Sequence, residues 1–242
     1  MAIYPPIFLI FSLKFFFSYI IISMNLNHLR KKEPSAVSSN MILYFDNLEG
    51  HLINHINQAE YIIGCVSWLT NLKIIQSLQD KKGIKIVIQK ENFIKRDYNY
   101  SICLNQYYIN LRKGYKSLPN LFNNIDDIDL NEDHCMNQIC KNKLSDDDYM
   151  DGVRCFGIAN NYSKPLMHHK FLIFLDKNMN PYGVWTGSYN FTNNANKSLD
   201  NGLYISDFNI VKGYVEEFEQ ILFMSEKLNW KTSQPKKMED EK

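Results

Sequence analysis

His168 and Lys170 stand two residues apart in an apolar run, residues 166–174. Alternate residues of a strand point the same way, so these two share one face while His169 points to the other. A few residues on, Thr186-Gly187-Ser188-Tyr189-Asn190-Phe191-Thr192 repeats that arrangement. Ser188 and Asn190 share a face there, and Gly187 lets the backbone approach a neighbour closely. An imidazole, an ammonium, a hydroxyl and a carboxamide meeting at a strand end suit a phosphoryl group. The lysine neutralises it, Ser188 and Asn190 donate hydrogen bonds, and the imidazole can attack phosphorus. A His and a Lys two apart are commonplace on a protein surface. Two such halves joined by an apolar strand and a turn are much rarer by chance.

The remaining polar groups point to less. His51 and His55 are four apart on a predicted helix, but Leu52 stands where a zinc protease needs its glutamate, so a solvated helix face is expected. His28 falls in a linker. His134, Cys135, Cys140 and Cys155 match no C-x2-C knuckle, and no metal site is expected from them. Five cysteines, with Cys65 and Cys103 added, do not make a disulfide framework. The basic positions from Lys81-Lys82 to Lys95-Arg96, interleaved with Phe93 and Tyr98, suit a nucleic-acid backbone and equally a solvated surface.

The elements that must position the site are read from periodicity. Leu48, Leu52, Ile53 and Ile56 recur at helical spacing, residues 61–68 form a buried strand, 72–78 a helix, and 84–89 a second strand after the break at Gly83. That order predicts parallel pairing. Residues 118–150, rich in Asn and Asp, are expected to be an acidic surface insertion, partly disordered. Structure resumes at Val153, with strands at 170–175, 183–185 and 203–206, a turn at 178–181 and a closing helix over 210–223. The fold class expected is α/β: a mixed, largely parallel sheet with helices on both faces.

At 242 residues, 45% hydrophobic, the chain suffices for one sizeable domain and is neither disordered nor collagen-like. A net charge of +1 argues against holding nucleic acid by bulk electrostatics. Residues 3–24 are nearly continuous apolar sequence, interrupted by Lys14, and long enough to cross a bilayer. No basic n-region or A-x-A site marks a cleaved signal, although export is the alternative. Arg30, Lys31 and Lys32 follow, which would leave the rest on the cytosolic side of an anchored chain. The division expected is an anchor or leader at 1–24, a linker at 25–40, the domain at 41–228 and a polar tail at 229–242.

The residues around His168 resemble the phospholipase D superfamily, whose signature is H-x-K-x4-D followed by G-S-x-N. Residues 166–205 are similar to its single-motif members, the mitochondrial cardiolipin hydrolase (Zucchini-type) proteins and small bacterial nucleases. Residues 59–89 are similar to that family's first β-α-β unit. One position departs: Leu175 stands five residues after Lys170, and Asp176 follows one later, so a bulge is needed to restore the structural aspartate. Asp200 stands where relatives carry a glutamate that orients the histidine.

The resemblance implies metal-independent phosphodiester hydrolysis without a cofactor, through a phosphohistidine on His168. Family enzymes need two such motifs and this chain has one, so a homodimer with His168 from each subunit in one cleft is expected. Three functions follow: an anchored phospholipase acting on diesters such as cardiolipin, an endonuclease cutting single-stranded RNA or DNA, or a catalytically silent scaffold. The first is preferred because residues 3–24 would hold the cleft near lipid headgroups. The third would be expected to have lost one of His168, Lys170, Ser188 or Asn190.

Overall fold

A computed structural model describes residues 25–29, 36–94, 106–123, 134, 136–137, 139, 151–159 and 165–235. The apolar segment at 3–24 lies outside them, as do Lys95, Arg96, Tyr98, Cys103, Cys135 and Cys140. Among the described residues no helix is long and apolar enough to cross a membrane.

In chain order the elements are β1 (Ala36–Val37), β2 (Met41–Tyr44), α1 (Leu48–Gln58), β3 (Tyr61–Val66), α2 (Leu72–Gln79), β4 (Gly83–Gln89), α3 (Gln106–Lys116), β5 (Val153–Phe156), β6 (Lys170–Leu175), β7 (Pro181–Gly187), β8 (Gly202–Ile205), α4 (Phe208–Met224) and β9 (Glu226–Lys227). The nine strands form one sheet in the order β1-β2-β8-β7-β6-β3-β4-β5-β9. The architecture is the mixed α/β class expected, but parallel pairing is confined to β3–β4 and β4–β5. β3–β6, β6–β7 and β7–β8 run antiparallel. The cause is local for β6–β7: they are joined by a turn too short for a parallel crossover.

Both faces of the sheet are covered because apolar side chains of its central strands β3 and β6 point to each side. Ile62 and Val66 of β3 and Leu172 and Phe174 of β6 pack with Leu52, Ile56, Ile74, Ile75, Leu78, Leu111 and Tyr115 of α1, α2 and α3. The alternate residues, Ile63, Cys65, Phe171, Ile173 and Leu175, pack with Val211, Val215, Phe218, Ile221 and Leu222 of α4. Cap residues start two of these helices: the Asn71 side chain accepts from the Lys73 and Ile74 amides, and Asp207 from those of Asn209 and Ile210.

Three expectations change. The stretch 118–150 contributes to the core: Leu118, Leu121, Phe122, Met136 and Ile139 are buried. Its two ends are tied to buried Lys85, whose Nζ donates to Asn120 Oδ1 (2.6 Å) and to the Asp151 carbonyl (2.7 Å). The tail is fastened as far as Gln234: Trp230 is buried, and buried Lys90, which pairs with Glu226, donates to the Thr232 and Gln234 carbonyls. And His51 and His55 do not line a solvated face. His51 stacks on Tyr44 at 4.1 Å, and His55 stacks on Tyr204 at 4.1 Å beside Trp185 and Phe174.

Burial first, and the neighbouring His51 second, push His55 down to about 4. The unfolded chain therefore binds a proton near pH 6.5 that the fold accepts only near 4, so stability rises with pH across that window. On acidification from pH 7 to 4, His55 is expected to account for a loss of about 2 kcal/mol, after allowance for its partial exposure. Urea titrations at both pH values should show that share of the acid loss vanish in His55→Phe. An unchanged acid loss in that variant would remove the assignment.

Candidate active site

The antiparallel β3–β6 pair sets Lys170 opposite Val66. Beyond it, the Ser67 amide and hydroxyl both donate to the His169 carbonyl (2.8 and 3.1 Å). Buried Gln89, at the end of β4, accepts the Met167 amide at 2.8 Å and so fixes the approach to His168. From the other side, β7 and β8 pair until Gly187 faces Gly202. Phe191 bridges to Leu69, and its carbonyl accepts from the Thr70 and Asn71 amides, both 2.9 Å. The loop 188–191 is thereby drawn to the C-terminal end of β3, the same end of the sheet as His168. Gly187 has φ +145°, and a Cβ there would lie 2.3 Å from the Asn201 carbonyl oxygen. The close neighbour that a glycine was expected to admit is thus the backbone of the β8 approach.

The alternation in β6 is as the sequence predicts. His168 is exposed, and Lys170, 8% exposed, turns its Nζ to within 3.2 Å of His168 Nε2 while donating to the His168 carbonyl at 2.9 Å. His169 points the other way and pairs with Glu217 of α4 at 3.0 Å. Burial, then the Lys170 charge, then His169 hold His168 below the ordinary histidine range. Burial also lowers Lys170, opposed by the carboxylate of Asp200. The arrangement pairs an imidazole biased to its neutral, nucleophilic form with an adjacent cation for a phosphate oxygen.

Ser188 Oγ donates to Asp200 Oδ1 (2.7 Å) and accepts the Asn201 amide (3.1 Å). Asp200 was expected to orient the histidine. Its hydrogen bond goes to Ser188, and it reaches the pair as a charge acting on Lys170, consistent with the short arm of an aspartate. Asn190 is half-buried, and its Oδ1 finds no donor among the described residues. Asp176 lies at the far end of β6. Its carboxylate accepts the Asn178 and Asn180 amides (2.8 and 2.9 Å), closing the turn into β7. The strand register shifts between Phe174 and Leu175, one residue before it.

Several residues carry no weight in the sequence but stand at or behind the site. Trp68 sets its ring 5.4 Å from that of His168, nearly perpendicular at 79°. Glu91 accepts its Nε1 at 2.9 Å. A half-exposed tryptophan after a buried strand carries no periodicity signal, and the long-range pairing of β3 with β6 is what brings it to His168. The basic positions from Lys81 to Lys90 are each engaged with other groups of the chain. Lys81 Nζ donates to the Ile56 and Ala59 carbonyls, Lys82 pairs with Glu60, and Lys85 and Lys90 are buried. Of the cysteine–histidine set, Cys155 is buried with its thiol pushed up to about 12 by burial, and His134 bonds Asn180 at the β6–β7 turn. Among the described residues no group of three or more His, Cys, Asp or Glu is placed to hold a metal ion.

Residues 52–222 match the model of the family described as cardiolipin synthase, PLD-like domain. An uncharacterized protein of Acanthamoeba polyphaga mimivirus is 44% identical over 230 residues, covering 90% of this chain and 76% of its own. Among solved structures, NucT from Helicobacter pylori is 15% identical, with a TM-score of 0.49 over 77% of this chain and 98% of that one. The phospholipase D family member Nuc from Salmonella typhimurium is 17% identical, with a TM-score of 0.41 over 76% and 96%.

Proposed function

The chain belongs to the phospholipase D superfamily, and from that premise we propose that it is a metal-independent phosphodiesterase working as a homodimer. One observation carries the reading. His168 is exposed with Lys170 at its Nε2 and Trp68 against its ring, and every other histidine is engaged elsewhere. All six histidines lie among the described residues: His169 is turned to α4, His51 and His55 to an aromatic cluster, His134 to a turn, and His28 lines a separate cavity. The general acid must then come from another copy.

In that dimer, Nε2 of neutral His168 attacks phosphorus. The N–P bond forms, the ester P–O bond breaks, and the leaving oxygen takes the proton of His168 of the partner subunit. That second imidazole, now neutral, removes a proton from water, which attacks phosphorus, breaks the N–P bond and frees His168. Lys170 stands beside the developing charge, with the Asn190 carboxamide as donor to the phosphate, and Ser188 joins them by turning its hydroxyl from Asp200 to the phosphate when substrate arrives. Asp200 acts through Ser188 and Lys170, and Asp176 and Gly187 hold the strands that carry them.

The substrate class is a phospholipid diester such as cardiolipin, met by a chain anchored through residues 3–24 with its domain on the cytosolic side. Two exposed leucines support this: Leu166, 44% exposed, stands two residues before His168, and Leu199, 56% exposed, one before Asp200. They give the surroundings of the site an apolar character suited to lipid. Of the basic positions that would have favoured a nucleic-acid backbone, Lys81, Lys85 and Lys90 are engaged within the fold and Lys82 pairs with Glu60.

The test uses the full chain in EDTA, offered cardiolipin vesicles and labelled single-stranded RNA and DNA in parallel. Cardiolipin cleavage that disappears in His168→Ala is expected. Nucleic-acid cleavage alone would transfer the protein to the nucleases. A folded dimer that cuts neither would overturn the phosphodiesterase reading in favour of a scaffold.

A further inference from the structure

Trp68 touches both working groups of the site and is itself held from behind. Its ring stands nearly perpendicular to that of His168, centroids 5.4 Å apart, and Lys170 Nζ lies 5.9 Å from its centroid. Its single donor, Nε1, is committed to Glu91 Oε1 at 2.9 Å. The Glu91 carbonyl in turn accepts Trp230 Nε1 at 3.2 Å, so the tail braces the anchor. The indole has no proton to offer a substrate and little freedom to turn. We propose that Trp68, locked by Glu91, is a positioning residue that keeps His168 as the neutral nucleophile and Lys170 as the cation beside it.

Two effects act in the same direction. An aromatic ring against one side of the imidazole excludes water there, which disfavours the imidazolium. The indole π system also attracts a cation, and Lys170 already supplies one, 3.2 Å from His168 Nε2. A second positive charge on His168 would have to share that attraction and face the ammonium. Among the described residues the charged and titratable groups acting on the pair are Lys170 and His169 on His168 and Asp200 on Lys170, while Glu91 is turned to the indole. Remove the indole, and water reaches the imidazole while Lys170 loses a contact that holds it in place. The proton affinity of His168 then rises, and less of it is ready to attack at mildly acid pH.

This rests on the phosphodiesterase reading for its meaning, but its test does not require turnover. The histidine ring protons of the full chain in detergent are titrated by NMR, with His168 assigned by its loss in His168→Ala. In Trp68→Ala the pKa of His168 is expected to rise by about half a pH unit or more, the size of a partly exposed cation–π and desolvation effect. Trp68→Phe, which keeps a ring against the imidazole, should retain most of the wild-type value. Trp68→Gln fills the space without a ring and should rise as Ala does, which covers an alanine variant that fails to fold. In turnover, both limbs of the pH profile of kcat/KM move up with the pKa, because the same histidine serves as nucleophile in one subunit and as acid in the other. A His168 that titrates unchanged or lower in the folded Ala or Gln variant overturns the proposal, as does a Phe variant that rises as far as they do. A rise with no diester hydrolysed by the wild type would sink the phosphodiesterase reading and leave the positioning intact.

Discussion

Replacing His168 with alanine is expected to lower kcat/KM at least about 10⁴-fold, because the change removes the nucleophile and the general acid together. The more informative measurement is a mixture. When wild-type and His168→Ala subunits are co-expressed in equal amounts, about a quarter of the dimers carry two intact imidazoles, and activity should fall to about that fraction. Subunits that each worked alone would leave half. The difference is large enough to measure with any cleaved substrate, and it tests the composite site without identifying the natural one. Activity at half, with both forms folded and paired, would mean that a group within one subunit serves as the acid.

Lys170→Met should cost about 10²–10³ in kcat/KM, the usual penalty for losing a preorganised charge at a developing anion. The loss carries a second signature. Lys170 helps to hold His168 below its ordinary range, so without that charge the histidine titrates higher and the acid limb of the pH profile moves up. A methionine that lowers the rate but leaves the acid limb in place would separate the two roles. A methionine enzyme within about threefold of wild type would remove Lys170 from the reaction. Arginine is not expected to rescue, because its planar fork cannot reproduce a point charge whose Nζ also clamps the His168 carbonyl at 2.9 Å.

What the sequence made legible was the part governed by local rules. Period-two alternation placed His168 and Lys170 on one face and His169 on the other, and the β6–β7–β8 succession was readable from short apolar runs and a turn. Long-range geometry was not. Trp68 comes to His168, and Gln89 to Met167 beside it, only because β3 pairs with β6, a pairing no local pattern announces. The lysines illustrate a different gap. Lys81, Lys82, Lys85 and Lys90 read as a basic run, yet one donates to carbonyls at the end of α1, one pairs with a glutamate and two are buried. A long stem can carry an ammonium either outward or inward, and composition does not say which. His51 and His55 were misread for the same reason. Helical spacing placed them on one face, but the aromatic partners arrive from β2 and β8, remote in the chain.

The borders of the sheet bear on how two copies would meet in the proposed dimer. Among the described residues the outermost strands, β1 and β9, are two residues each, and β9 lies over the β5 edge, fastened by the Lys90–Glu226 pair. Such borders expose too few free amides and carbonyls to template an incoming strand. Growth by adding sheet to sheet, the open-ended route that leads to fibres, is thereby closed at both sides. The end of the sheet where His168 stands remains available to another subunit, through side chains rather than backbone ladders. In the proposed dimer, contact there would be self-limiting, because two copies related by a two-fold axis satisfy each other and leave nothing for a third.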